Sequence, residues 1–458
     1  MSRNLDTVFV GGMQNSCDKI DYTENTMHWI AKDVPALRDE SFVGNYRNYF
    51  LGVDFQLSSF KHFNGKIENV LGNWNEVMTE LTDNENFGPN MNKKGFYKDV
   101  TDAIMAKYTE PAERMAAVYS FVSNNTKWNE RSWFIPSQNI KKTYDEKTGN
   151  CADINALLVS MLRAVDLLAD PVILSTVDNG KVHPTYPILD KYNYLIAKVT
   201  IGAGYVLLDA TENGLPVGLL PMRCLNQVGY TISEDRPGWV DIVPQKSLEK
   251  ATMCVMKVNE EGQMTGSVSY KLSGYEAVSI REKLERDGAD KFKENFTSSH
   301  PEWTISSMDI DAPEAVSEPV KEVIKTDLNN AAQSAGNIIY INPILCDKME
   351  ENPLKQEKRE LPIEFIVPIK QSYMLNLTIP EGFVVDELPQ SVTMVIPDKT
   401  AQLKYIVKAV GNNIQLILNW EISESFYAPT KFPDLKEFYA TLVAKQNEQI
   451  VLKKVGAN

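Results

Sequence analysis

Histidine and cysteine are both scarce in this sequence. Its 458 residues include only four histidines and five cysteines, and no two cysteines have the CxxC spacing of a zinc site. The thiols are too scattered to predict a metal centre or a disulfide framework, so we expect no metal and no organic cofactor. Because a reactive thiol usually needs an imidazole to take its proton, each histidine has to be considered as a base. The residues concerned are Cys17, Cys151, Cys224, Cys254, Cys346, His28, His62, His183 and His300.

Positive charge and long apolar runs are also lacking. Lysine and arginine total 47 against 61 aspartates and glutamates, which gives a formal net charge of −14. Since so acidic a surface repels phosphate backbones, nucleic acid is not an expected partner. No apolar run approaches the roughly 20 residues that a membrane-spanning helix needs, so no transmembrane segment is predicted. The start of the chain contains Arg3 without a long apolar stretch after it, so no signal peptide is visible in this sequence.

The hydrophobic patterns divide the chain into four segments. Residues 1–70 are predicted to be part of an N-terminal β domain, with a strand at 50–57. Residues 71–245 alternate helices and strands, and residues 246–345 form a mixed β/α linker domain. Residues 346–458 are predicted to form a C-terminal β-sandwich, because alternating strands flank a Gly-Asn-Asn hairpin turn. These patterns predict an α+β multi-domain protein.

The strongest helical pattern begins next to Cys151. Apolar residues recur with helical spacing from Asn150 to Leu168, and Pro171 is expected to end the helix. A thiol in the first turn of a helix lies near unpaired backbone N–H groups and the positive end of the helix dipole. Both lower the pKa of a thiol, and the N–H groups can hold an oxyanion. A reactive thiolate at Cys151 is therefore one interpretation, and a small, buried apolar cysteine that caps the helix is the other.

Three stretches of this region carry a resemblance to a known family. The run GNCADINALLVSMLR around Cys151, the strand YNYLIAKV from Tyr192 and the strand YVLLDATE around Asp209 resemble the core of the transglutaminase-like superfamily. The resemblance implies a papain-like α/β core over residues 71–245. It also implies that Cys151 stands at the nucleophile position and Asp209 at the position of the acid that orients the base.

The flanking segments resemble the same group of proteins. The opening WIAKDVPALRDESF and the later segment RELPIEFIVP resemble the β domains on either side of this core in large bacterial transglutaminase-like proteins of unknown function. The resemblance implies that β-sandwich domains flank the papain-like core. Because such proteins usually carry export signals, it also implies a periplasmic or cell-envelope location.

One position departs from the family pattern. Active members carry a histidine on the first of the two strands, whereas this sequence has Tyr194 there. A tight turn at Gly202-Ala203 would place Ile196 opposite Asp209, which makes Tyr194 a diagonal neighbour of Asp209 on the same face. A phenol has a pKa of about 10 and stays protonated at neutral pH, so it cannot cycle a proton efficiently. The substitution implies a catalytically impaired core.

His183 is the alternative base. It is the only histidine between Cys151 and Asp209 in the sequence, and it lies in the proline-rich loop GKVHPTYP. If this loop folded back over the thiol, Cys151, His183 and Asp209 would form a complete triad. The other interpretation is a solvent-exposed loop histidine.

Two functions follow from these alternatives. The favoured hypothesis is a catalytically silent protein that binds or scaffolds a polypeptide or a peptidoglycan-like cell-wall ligand. The second hypothesis is an active cysteine amidase, peptidase or acyl-transferase that uses His183. Trp128, Trp133 and Asn150 are expected to line a groove beside Cys151, and core packing of the two tryptophans is the alternative. The sequence does not predict an oligomeric state.

Overall fold

The described part of the chain falls into two compact units. One lies within residues 1–39 and 50–53, and the other lies within residues 40–49 and 54–458. The protein is known from a computed structural model, which describes residues 2–11, 17–53, 57, 59–62, 65–69, 73–183, 185–329 and 331–456.

The first unit contains a two-stranded antiparallel hairpin, formed by β1 (Ser2–Gly11) and β2 (Cys17–Asn25). The strand predicted at 50–57 is wrong for residues 50–53, which form no strand, and residues 54–56 lie outside the described residues. Phe50, Leu51 and Val53 are all exposed. Alternating apolar residues form a strand only where another strand supplies hydrogen-bond partners, and the sequence pattern does not reveal that partner.

The second unit carries the helices and the remaining strands. Its described helices are α1 (Trp74–Asp83), α2 (Gly88–Met91), α3 (Lys98–Lys107), α4 (Pro111–Asn125), α5 (Ile140–Glu146), α6 (Cys151–Ala164), α7 (Tyr275–Asp287), α8 (Ala289–Ser299) and α9 (Phe432–Asn447). Its described strands are β3 (Ser59–Lys61), β4 (Ile67–Asn69), β5 (Lys127–Trp128), β6 (Thr148–Gly149), β7 (Leu168–Leu174), β8 (Tyr194–Ile201), β9 (Gly204–Leu208), β10 (Gln227–Thr231), β11 (Gly238–Ile242), β12 (Leu248–Val258), β13 (Met264–Gly274), β14 (Trp303–Asp311), β15 (Val320–Leu328), β16 (Ala332–Ala335), β17 (Ile338–Ile341), β18 (Ile363–Glu364), β19 (Ile369–Thr378), β20 (Phe383–Glu387), β21 (Val392–Val395), β22 (Ala401–Val410), β23 (Asn413–Ile422), β24 (Phe426–Tyr427) and β25 (Ile450–Lys454).

Helix α6 is the central helix of this unit. It packs against a five-stranded antiparallel sheet with the order β11-β10-β7-β8-β9, and helices α2, α4 and α5 also contact it. All residues from Cys151 to Leu162 are buried. A helix that is enclosed on every side needs apolar residues almost all round.

The end of α6 differs from the prediction. The helix ends at Ala164 instead of Leu168, and Asp166 turns the chain with a left-handed φ of 58°. Leu168 already belongs to β7, and Pro171 lies inside that strand. Val165 and Leu167 lie beyond the helix but are buried as well, so apolar spacing alone overestimates the length of the helix.

The register of the β8–β9 hairpin confirms the predicted alignment. Ala197 pairs with Leu208, and the two-residue turn begins at Gly202, which has a φ of 59°. One step further along the same register, Ile196 lies opposite Asp209. The hairpin therefore brings Tyr194, two positions before Ile196, close to Asp209 on one face of the sheet.

A single eight-stranded sheet crosses the boundary predicted at residue 345. Its order is β14-β15-β13-β12-β19-β23-β22-β21, and β12 pairs in parallel with β19 across that boundary. The four-stranded sheet β16-β17-β25-β20 and helix α9 share one hydrophobic core with it. The segments predicted as a linker domain and a C-terminal sandwich are thus joined by backbone pairing. Among the described residues, no helix combines the length and the apolar character needed to cross a membrane.

Candidate active site

Cys151 occupies the first position of α6 and is held there by a capping box. The Asn150 side chain accepts a hydrogen bond from the Asp153 N–H at 2.7 Å, and the Asp153 carboxylate accepts one from the Asn150 N–H at 2.8 Å. Asp153 also accepts hydrogen bonds from the N–H groups of Ser137 and Gln138. The preceding loop is therefore fastened to the start of the helix, and Asp153 has a structural role.

The Cys151 thiol is closed off from solvent. Its residue is 0% exposed, and its S–H donates to the Trp133 carbonyl oxygen at 3.1 Å. Burial raises the pKa of this thiol to about 12, which overrides the helix terminus. Of the two interpretations, burial favours the small, buried cysteine, because the dipole effect is small compared with complete removal of the sulfur from water.

The backbone around the thiol is also occupied. The Cys151 N–H donates to the Arg131 carbonyl oxygen at 3.2 Å. An oxyanion hole needs N–H groups that point freely at the reacting oxygen. The N–H of Cys151 is therefore not available as such a donor in this conformation.

Tyr194 and Asp209 are brought into direct contact, as the hairpin register requires. The Tyr194 hydroxyl donates to Asp209 Oδ2 at 2.9 Å. Asp209 Oδ1 accepts from the Asn155 side chain at 2.8 Å and from the Thr211 N–H at 3.1 Å. Both Tyr194 and Asp209 are fully buried. Burial and the neighbouring carboxylate hold the pKa of the Tyr194 phenol well above its ordinary value, so the proton stays on the phenol.

Arg223 completes the network around Tyr194. It lies in a short 3₁₀ turn, Met222–Cys224, and its Nη2 donates to the Tyr194 hydroxyl oxygen at 3.0 Å and to Thr211 Oγ1 at 2.7 Å. Its guanidinium also forms an ion pair with Glu212 and lies 4.4 Å from the centre of the Trp128 ring. The positive charge of Arg223 compensates for burial of the Asp209 carboxylate, whose Oδ2 is 3.7 Å from Nη2.

A second thiol belongs to the same cluster. Cys224 is fully buried, and its Sγ lies 3.7 Å from Asp209 Oδ2. Burial raises the pKa of Cys224 well above its ordinary value. It shares an apolar cluster with Cys151 and Tyr194. Both thiols of this region are therefore protonated and inaccessible at neutral pH.

Sequence reasoning missed three members of this network. Asn155 follows Cys151 by one helical turn on α6, so helical spacing could have indicated that it faces the same sheet. Arg223 and Cys224 lie far along the chain in a segment without a regular pattern, and no sequence signal points to them. Only the fold brings that segment over the β8–β9 hairpin.

His183 is not brought to the thiol. Its side chain is exposed, and its Nδ1 accepts hydrogen bonds from the N–H groups of Thr185 at 3.1 Å and Tyr186 at 3.3 Å. Its ring centre lies 4.8 Å from that of Tyr186. The loop thus holds the His183 imidazole at the protein surface, whereas the Cys151 sulfur is buried.

The three residues predicted to line a groove are divided between two depressions. Trp133 is 44% exposed and lines one depression together with Asn150 and Arg131. Trp128 borders a second depression on the side of Glu212. Its indole N–H donates to the Arg131 carbonyl oxygen at 2.9 Å, so the 128–133 loop separates the two. In the described part of the chain, no three His, Cys, Asp or Glu side chains are grouped so that they could hold a metal ion.

Comparison with known families now defines the class of the core. Residues 98–210 match the model of the transglutaminase-like superfamily, so the chain contains a transglutaminase-like core, and the predicted resemblance is confirmed. The matched range includes Cys151, Tyr194 and Asp209. Residues 337–452 match a second family, described as a domain of unknown function with a solved structure (DUF3858).

A solved structure extends the likeness to the whole fold. A crystal structure described as that of a "putative protease" from Parabacteroides distasonis superposes with a TM-score of 0.51 over 99% of this chain and 69% of that chain, at 11% sequence identity. At this identity the likeness concerns the fold alone. None of the curated proteins compared with the chain matches it. The predicted fold class is confirmed as a multi-domain protein of mixed helices and sheets, with a transglutaminase-like core and β-rich domains.

Proposed function

We propose that this transglutaminase-like protein does not turn over substrate at Cys151 and acts as a binding or scaffold protein for a polypeptide or a peptidoglycan-like peptide. The observation that carries the proposal is the hydrogen bond from the Tyr194 hydroxyl to Asp209 at 2.9 Å. Tyr194 thus stands, hydrogen-bonded to the carboxylate, at the position in the sequence where active relatives need a base.

The proton chemistry supports this proposal. A general base must have a pKa near neutral so that it can take a proton and return it. Burial raises the pKa of the Tyr194 phenol far above neutral, and it raises the pKa of the Cys151 thiol to about 12. Neither group ionises at neutral pH, so no thiolate is available to attack a carbonyl. Loss of one triad member typically lowers the rate by several orders of magnitude.

Two observations support a polypeptide ligand. Trp133 exposes 44% of its surface beside the start of α6, and a large aromatic group with Arg131 and Asn150 in the same depression suits an extended peptide. The similar crystal structure from Parabacteroides distasonis is described as that of a "putative protease", and proteases act on polypeptides.

Export to the periplasm or cell envelope is part of the proposal. Fractionation of the native host with an antibody to this chain tests it.

Turnover is tested with the full chain and its Cys151→Ala variant. We expect both proteins to give the same background signal with fluorogenic peptide amides and with a fluorescent amine offered to a glutamine peptide. In the same samples, Cys151 should resist iodoacetamide at pH 7 and react only after unfolding in urea, as mass spectrometry of its peptide would report. Turnover that the wild type shows and Cys151→Ala lacks would contradict the proposal.

Binding is tested separately from turnover. Fluorescence anisotropy with labelled peptide libraries and cell-wall peptides should reveal ligands that bind the wild type and Cys151→Ala equally. Trp133→Ala should weaken that binding at least tenfold. Phe426→Ala is the matched control because Phe426 is also 44% exposed but lies away from this depression. If both alanine variants behave alike, the Trp133 depression is not the binding site.

A further inference from the structure

A second pocket lies away from Cys151, between the α7–α8 helix pair and the eight-stranded sheet. It has a volume of about 420 Å³. Lys250, Tyr270 and Glu322 contribute from strands β12, β13 and β15, and the two helices enclose them from the other side. Tyr270 and Glu322 are direct partners in the β13–β15 pairing, so their side chains lie next to each other on one face.

Glu322 occupies a core position of its strand. Every second residue of β15 is buried, and its neighbours on the buried side, Val320 and Ile324, are apolar. Glu322 is 3% exposed, and its Oε1 atom has no hydrogen-bond partner among the described residues. A buried polar group without a partner is costly. Burial accordingly raises the pKa of this carboxyl to about 7.

Two of the three lysine and arginine side chains that line the pocket are already paired with other carboxylates. Lys250 Nζ lies 2.6 Å from Asp347 Oδ1 and 4.6 Å from the centre of the Tyr270 ring. Arg286 Nη2 lies 2.7 Å from Asp287 Oδ2. The third, Lys283, is exposed, and its charge and that of Lys250 oppose the rise in the pKa of Glu322. No lysine or arginine forms an ion pair with Glu322 in the described part of the chain.

Two further features of the pocket suit a cation that carries a carbon skeleton. Glu276 on α7 provides a second carboxyl, and burial raises its pKa as well. Phe292 and Phe296 on α8 line the pocket beside Tyr270. Aromatic faces attract cations and pack against apolar carbon.

We propose that this pocket binds an organic ammonium ion, with the ammonium group on Glu322 and Glu276 and the carbon skeleton on the α8 aromatic side chains. An ammonium group would give Glu322 Oε1 the hydrogen-bond donor that the fold does not supply. An anionic ligand is disfavoured because the carboxyl groups that line the pocket outnumber its lysine and arginine side chains. The carboxyls are Glu276, Asp287, Glu322 and Asp347, and the cations are Lys250, Lys283 and Arg286. Nothing in this site depends on Cys151 or Tyr194.

The probe is phenethylammonium, measured by isothermal titration or by ligand-observed NMR with the full chain. We expect one-site binding at pH 8, at least tenfold weaker binding of the neutral isostere 2-phenylethanol, and weaker binding still of 3-phenylpropionate. Glu322→Gln keeps the shape of the side chain and should weaken phenethylammonium binding at least tenfold. Glu285→Gln is the charge-matched control, since Glu285 is exposed on α7 and does not line this pocket, and it should leave binding unchanged.

Three results would overturn the proposal. The first is no saturable phenethylammonium binding up to about 10 mM, well above the millimolar constants of weak specific sites. The second is equal affinity for the ammonium and the neutral alcohol. The third is full binding by a Glu322→Gln variant whose circular dichroism and unfolding curve show that it is folded.

Discussion

The Tyr194 hydroxyl has one proton, and it donates that proton to Asp209 Oδ2 at 2.9 Å. The hydrogen bonds that its oxygen accepts come from Arg223 Nε and Nη2, at 3.2 and 3.0 Å. A histidine in this position could offer one nitrogen to the sulfur and the other to the carboxylate. The Tyr194 phenol instead links the Asp209 carboxylate to the Arg223 guanidinium, and this link stabilises the fold without moving a proton.

Removing that hydroxyl should lower stability. Tyr194→Phe leaves buried Asp209 and Arg223 groups with fewer partners, so we expect the free energy of unfolding to fall by about 1–3 kcal/mol. Urea unfolding followed by circular dichroism measures the change. Tyr205→Phe is the control, because Tyr205 is exposed and its hydroxyl makes only a 3.5 Å contact. A loss no larger than that of the control would mean that the network contributes little.

Glu322 should make stability depend on pH. Its folded-state pKa is raised from 4.5 to about 7, so the folded protein holds the proton more tightly than the unfolded chain. Ionising Glu322 in the folded protein therefore lowers the free energy of unfolding. This loss is absent below pH 4.5, grows between pH 4.5 and 7, and is complete above pH 7. Glu322→Gln removes it, so relative to the wild type the variant should gain up to ~3 kcal/mol between pH 4.5 and 8.

Urea unfolding of both proteins at pH 4.5 and pH 8 measures this gain. Glu285→Gln, whose carboxyl is exposed, should show the same difference from the wild type at both pH values. If the difference between Glu322→Gln and the wild type is also constant, the carboxyl titrates normally in the folded protein.

At the scale of elements, α6 and the β8–β9 hairpin together place the candidate site. The helix brings Cys151 and Asn155 to one side of the sheet, and Asn155 donates to the Leu195 carbonyl oxygen at 2.9 Å and to Asp209 at 2.8 Å. One amide thus fastens the helix to both strands of the hairpin. Helix α6 and the hairpin therefore set the positions of Cys151, Tyr194 and Asp209, while Arg223 comes from a short turn.

The capping box of α6 should contribute more to stability than a similar box elsewhere. Asn150→Ala removes the acceptor for the Asp153 N–H and loosens the loop that Asp153 holds, so we expect a loss of about 1–2 kcal/mol. Asn73→Ala at α1 is the matched control: it has the same box, but it is exposed. Thermal or urea unfolding compares the two variants. An equal or smaller loss at Asn150 would show that Asp153 alone holds the loop.

At the scale of the whole molecule, the eight-stranded sheet joins two parts of the chain that the sequence pattern separates. The parallel pair β12–β19 runs from Leu248 and Ile369 to Lys257 and Thr378. Parallel strands that are far apart in sequence pair slowly during folding, because a long loop must be closed before they can meet. The two segments should therefore lose structure together.

Thiol labelling tests this cooperativity in the intact protein. Cys254 lies in β12 and Cys346 lies just beyond the predicted boundary, and both are buried. We expect pulsed alkylation at increasing urea to expose both thiols at the same midpoint, as mass spectrometry of the two peptides would show. Separate midpoints would mean that the segments unfold as independent domains.

The sequence by itself determined the local part of this architecture. The apolar repeat of α6, the turn and register of the β8–β9 hairpin, and the proximity of Tyr194 to Asp209 all follow from residues close together in the chain. Periodicity and turn chemistry act over a few residues, so they can be read directly. The resemblance to the transglutaminase-like core rests on the same local stretches.

Only the tertiary structure decided the chemistry of the site. The sequence places Cys151 at a helix terminus, which favours a thiolate, but complete burial raises the pKa of the thiol instead. Arg223 reaches Tyr194 from a distant turn, and the His183 loop keeps its imidazole outside. Burial, desolvation and long-range contacts depend on how every element packs, and a local pattern does not contain that information.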